Sequence, residues 1–82
     1  MKKDRMYELM TELRDRQFTV NECYELFNAI DWYLSNRQEY INSVGEVREL
    51  REEEFESAKA ELERTLSALG LDYTVDEFNT ED

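Results

Sequence analysis

The chain has no histidine and no proline, a single cysteine, two glycines, and only 10 Lys and Arg against 21 Asp and Glu, for a net charge of −11. Each shortage removes a class of chemistry. Without histidine there can be no Ser–His or Cys–His nucleophile pair, and no Glu-x-x-His pair of the kind that builds di-iron helical bundles. Cys23 alone cannot form an internal disulfide, and with no imidazole to activate its thiol it reads as a small apolar side chain. Glycine only at Gly45 and Gly70 leaves no phosphate-cradling loop, and Mg or Ca bound loosely by scattered carboxylates would be nonspecific. No catalytic set, cofactor site or metal site is therefore expected. The N-terminal stretch lacks the apolar run of a secretory leader, and no segment approaches a membrane span, so a cytoplasmic location is the expectation. With neither proline nor glycine to punctuate strands, the composition points to helices.

What is present suffices for one small core. The 82 residues are 40 % hydrophobic and 12 % aromatic, which argues for a folded domain close to the minimum size at which a core outweighs chain entropy. Charge is graded along the chain. Residues 1–18 carry five basic and four acidic side chains, residues 19–45 one and four, residues 46–70 four and eight, and residues 71–82 none and five. Such a gradient disfavours nucleic acid and anionic membrane as direct partners and favours a protein with a basic surface.

Helix starts are marked by Ser or Thr followed three residues later by Glu, at Thr19/Glu22, Ser43/Glu46 and Thr74/Glu77. In such a capping box each side chain satisfies a backbone N–H that the first helical turn leaves free. Phe18 and Tyr73, just before two of the caps, could staple to Cys23 and Phe78. The likeness of residues 18–22 to residues 73–77 is that of two good helix starts rather than of a repeat.

The expected fold is all-α, a small bundle of three helices with a long antiparallel αα-hairpin and a short C-terminal turn. Helix one is expected over residues 4–17, with Met6, Leu9, Met10 and Leu13 on one face. Helix two is expected over residues 20–42. Its heptad-spaced positions Val20, Cys23, Phe27, Ile30, Leu34, Arg37, Ile41 and Val44 form the expected seam, with Tyr24, Tyr33 and Tyr40 at its rim. Helix three should run from Val44 to Leu69 and stop at Gly70, which can take the left-handed conformation that ends a helix. A single long helix through Gly45, or a break in helix two at Ser35/Gln38, are the alternatives. The domain thus spans residues 1–70, and residues 71–82 form an acidic tail or a short docked helix, with Tyr73 and Phe78 expected to fold back locally.

Helix three is amphipathic. Val47, Phe55, Ala58, Leu62, Leu66 and Leu69 share one arc, and Glu46, Glu49, Glu52, Glu53, Glu56 and Glu63 the opposite one. Eight glutamates between positions 46 and 63 give about one charge per 3.4 Å of helix, the phosphate spacing of one DNA strand. The plainer reading is a solvated face diluted by intrahelical pairs such as Arg48–Glu52 and Lys59–Glu63. Trp32 lies off the seam among polar residues; it is either covered by another element, the expected outcome, or a binding anchor. Arg37 and Arg51, near the hairpin turn, should meet Glu39 or Glu46.

These features suggest a non-catalytic protein-binding module with Glu49, Glu53 and Glu56 at its centre and Trp32 or Phe78 as apolar anchors. It would act as many phage and mobile-element inhibitors do, occupying a basic, nucleic-acid-binding surface. A homo-oligomeric, coiled-coil-like assembly module, a homodimer for example, is the alternative.

Overall fold

The computed structural model describes residues 2–79, so the end of the acidic tail, residues 80–82, lies outside the described residues. Three helices, α1 (Lys3–Asp15), α2 (Val20–Asn42) and α3 (Glu46–Ala68), are followed by a single 3-10 turn, Val75–Phe78. α2 begins where the sequence says it should. Thr19 Oγ1 accepts from the Glu22 N–H at 3.1 Å, and Glu22 Oε1 accepts from the Thr19 N–H at 2.9 Å. It runs unbroken past Ser35. The chain reverses at Gly45, whose φ of 64° and ψ of −139° exclude one continuous helix and produce the antiparallel hairpin of α2 and α3. Ser43 does not cap α3: its hydroxyl donates instead to the Glu39 carbonyl, four residues back, at 2.7 Å. The expected Ser43/Glu46 box is therefore absent, whereas the Thr74/Glu77 box forms, and α3 starts at Glu46 rather than Val44.

α1 and α3 end alike. The N–H groups of Phe18 and Gln17 reach the carbonyls of Leu13 and Arg14, and those of Leu71 and Gly70 reach Leu66 and Ser67. This is the Schellman arrangement, which places the residue after the cap in the left-handed region. Gly70 adopts it at φ 68°, but at the end of α1 the position is filled by Gln17 at φ 55°. Arg16 links the two ends, its guanidinium donating to the carbonyls of Gly70 and Leu69 at 3.0 Å each.

The core is assembled from every element: Leu9 and Leu13 of α1, Leu26, Ala29 and Tyr33 of α2, Ala58, Leu62 and Leu66 of α3, then Leu71, Val75 and Phe78. The expected docking of the C-terminal segment is observed. Arg5 Nε donates to Glu77 Oε1 at 2.7 Å, its guanidinium lies 4.2 Å over the Tyr73 ring, and the Tyr33 hydroxyl donates to Asn79 Oδ1 at 2.7 Å.

The α2 stripe that faces α3 is not the expected seam. Leu26, Ala29, Tyr33 and Asn36 are the buried residues of this helix, a stripe turned by about 100°, one residue's step, from the heptad positions. Two features select it. Ala29 admits close approach of α3, and Tyr33, expected at the rim, is 1 % exposed with its hydroxyl satisfied by Asn79 and its ring 5.7 Å from Phe55. Tyr40 stacks on the other side of Phe55 at 5.2 Å. Val20, Phe27, Ile41 and Val44 of the expected seam are left exposed.

α1 is 13 residues long against 23 for each arm of the hairpin, so it backs only part of the hairpin. The far end projects as two helices, giving a molecule of 45 × 25 × 17 Å whose radius of gyration is 13.7 Å, against about 12 Å for a compact chain of this length. Among the described residues no helix is long and apolar enough to cross a membrane.

Candidate acidic interface

α3 is amphipathic because its apolar residues recur at three- and four-residue intervals. With Ala58, Leu62 and Leu66 buried against α2, helical geometry turns Glu49, Glu53 and Glu56 outward together with Glu52. These four glutamates, with Ser57 and Ala60, line one shallow concavity. The pairs expected to dilute this charge are missing. Arg48 turns away to lie 4.9 Å over the Tyr40 ring, and among the described residues neither Glu52 nor Glu63 has an ion-pair partner. The arginines that do pair on α3 use other glutamates. Arg51 binds Glu39 of α2 at 2.9 Å and Glu54 at 3.5 Å, and Arg64 binds Glu61 at 2.6 Å. The Arg51–Glu39 contact is the one expected near the turn.

Trp32 is not covered. It is 45 % exposed, because α1 packs on the other flank of α2 and the C-terminal segment docks there too. Its ring borders a groove along the α2/α3 edge, of about 570 Å³, with Glu25, Asn28, Ala29, Glu61 and Thr65. Glu61 follows Glu49, Glu53 and Ser57 at four-residue steps, and such positions stack along one ridge of a helix. The outward glutamates and the tryptophan groove therefore share a ridge of α3, with the indole at one end.

Phe78 belongs elsewhere. It is 4 % exposed, packed with Leu9, Ile30 and Leu34 and with its ring centroid 6.4 Å from that of Tyr73. A side chain so enclosed is no surface anchor, and the site reduces to Glu49, Glu53, Glu56 and Trp32, joined by Glu52, Glu25 and Glu61. Glu52 was legible as part of the acidic arc. Glu25 shares the Trp32 face of α2 by helical spacing alone, whereas only the pairing of α2 with α3 brings Glu61 beside the indole.

The groups with perturbed ionisation lie away from this face, where the C-terminal segment docks. The hydrogen bond from Arg5 holds the Glu77 carboxyl below the usual glutamate range, and burial pushes the Tyr33 and Tyr73 hydroxyls up. Among the described residues no group of three thiol or carboxylate side chains converges in a way that could hold a metal ion. The chain matches no protein-family model, no curated protein and no solved structure.

Proposed function

We infer that the protein is a non-catalytic binding module and inhibitor, whose α3 carboxylates occupy a basic, nucleic-acid-binding surface of a partner protein. The observation that carries this reading is the unneutralised ladder. Glu49, Glu52, Glu53 and Glu56 are all exposed, and none has an ion-pair partner among the described residues although Arg48 is near in sequence. A face kept only for solubility gains from intrahelical pairing, at about 0.2–0.5 kcal/mol per pair. A face that presents charge to a partner needs its carboxylates free. The ladder would enter the groove that receives phosphates, while Trp32 at the end of the ridge supplies contact area of the type enriched in interface hot spots. The half-exposed indole beside Glu25 and Glu61 suits an arginine or lysine side chain, which it can meet by cation–π contact.

Charge-led recognition of this type is fast and weakens with salt. Affinity capture from the native host, followed by competition of the captured protein with duplex DNA, tests it. The partner is expected to be a nucleic-acid-binding protein released by duplex DNA and by high salt. Replacing Glu49, Glu53 and Glu56 together by lysine should weaken binding by at least about a hundredfold at low salt, or roughly 1 kcal/mol per reversed charge. Retained affinity in that triple variant would exclude the acidic face as the contact.

A further inference from the structure

We propose that the exposed face shared by α1 and α2 is the contact between two copies of this chain, which form a two-fold dimer with their α3 faces turned outward. The surface is built from the stripe that the hairpin leaves unused. Val20, Phe27, Leu34 and Ile41 follow one another at seven-residue intervals. Yet Val20 is 77 % exposed and Phe27 and Ile41 45 % each. On α1, Met6 and Met10 continue the patch at 52 % and 54 % exposure. The two helices enclose an apolar groove of about 220 Å³ between Met6, Met10, Phe27, Ile30 and Leu34, floored by Phe78. A hydrophobic repeat of seven is what a helix needs in order to hold its seam against another helix; within the protomer Leu34 packs against the core, while Val20, Phe27 and Ile41 stay exposed.

Three observations favour a second copy as the occupant. The first is charge. Residues 1–45 carry six basic and eight acidic side chains, net −2 of the total −11, and on the exposed side of this α2 stripe Asp31 is the one charged side chain among Tyr24, Ser35 and Gln38. Like-charged chains can meet on this side without bringing their α3 glutamates together, and loss of charge is the compositional mark of an interface core. The second is size. α1 and α2 side by side offer a footprint on the order of 550 Å² per copy from their lengths and helix width, near the lower bound of roughly 600 Å² per partner in stable complexes. The third is shape. Half-exposed Phe27 forms one wall of the groove, so a two-fold axis through that patch sets the two grooves and their Phe27 rings against each other. Trp32 and the glutamate ladder lie on other faces and stay free in such a dimer, which would present two binding surfaces.

Sedimentation of the full chain over a wide concentration range, at low and high salt, tests this. A reversible dimer is expected, and it should tighten as salt rises, because screening relieves repulsion between two strongly acidic chains. Partner binding through the ladder has the opposite salt dependence, so the two ideas fail separately. Met10→Glu combined with Tyr24→Glu places charges at two positions more than half exposed in the protomer. It should raise the dimer dissociation constant by more than about a hundredfold, since a buried unpaired charge costs several kcal/mol. Unchanged helical circular dichroism at low concentration would show that the protomer still folds. The lysine triple variant on α3 should still dimerise. A strict monomer at every concentration and salt overturns the proposal, even if the face then takes up lipid vesicles or another protein. So does a dimer that the Met10/Tyr24 variant leaves intact.

Discussion

Gln17 and Gly70 occupy the same conformation at the ends of two helices, and only one of them suits it. A side chain in the left-handed region costs about 1–2 kcal/mol, so Gln17→Gly should stabilise the protein by about 1 kcal/mol. Gly70→Ala should destabilise it by at least about that much, because the new Cβ would also stand 3.1 Å from Arg16 Nη2 and disturb the cap on Leu69 and Gly70. Urea midpoints of the two variants, moving in opposite directions, check both. Glu77 makes a pH-dependent contribution. Its carboxyl is held below the ordinary value by the Arg5 hydrogen bond, so the folded state binds a proton less readily than the unfolded chain does. The stabilisation is complete above the ordinary value of about 4.3 and is lost as pH falls through the depressed folded value. Melting temperatures of wild type and Glu77→Gln should differ most at neutral pH and converge in acid.

At the level of elements, the C-terminal segment matters more than its length suggests. α1 has no cap on its first turn, and it is held by Arg5 to Glu77 and to the Asp72 carbonyl and by Arg16 to the end of α3. Leu71, Val75 and Phe78, each 5 % exposed or less, complete the core beneath it. Phe78→Ala should cost about 3–5 kcal/mol, a large share of the roughly 4–12 kcal/mol expected of a chain this size. Truncation after Gly70 should lower the melting temperature further while leaving most helical circular dichroism at low temperature. The segment's aromatic character and its Thr74/Glu77 spacing made this docking legible beforehand. The partner helices were not legible, because nothing local says that Arg5, 72 residues away, will meet Glu77.

For the whole molecule, the distribution of charge and apolar surface sets behaviour. Glu53 has Glu49 one turn before it and Glu56 one turn after it, like-charge neighbours that each cost about 0.2–0.5 kcal/mol. Glu53→Lys should therefore raise stability slightly, and wild type should melt at a higher temperature as salt screens its net charge. A lower melting temperature for this variant would show that Glu53 has a structural role. The asymmetry also explains the exposed aliphatics at the hairpin tip. Val44, Val47 and Leu50 are 80, 53 and 70 % exposed because α1 is too short to back that end.

Local chemistry and periodicity determined the helices, their number and several of their ends. The Thr19 box starts α2, Gly45 turns the hairpin and Gly70 stops α3, all through interactions within a few residues. The burial of Ala58, Leu62 and Leu66 and the outward turn of the acidic arc also followed, since α3 has one apolar stripe. α2 has two, a heptad series through Phe27 and Leu34 and a second through Leu26, Ala29 and Tyr33, and periodicity alone could not choose between them. Tertiary structure chose the second: alanine lets the helices approach, and a buried tyrosine requires a hydrogen-bond partner, here Asn79, from a segment remote in sequence. That one choice exposed the seam, left Trp32 beside Glu61 and enclosed Phe78.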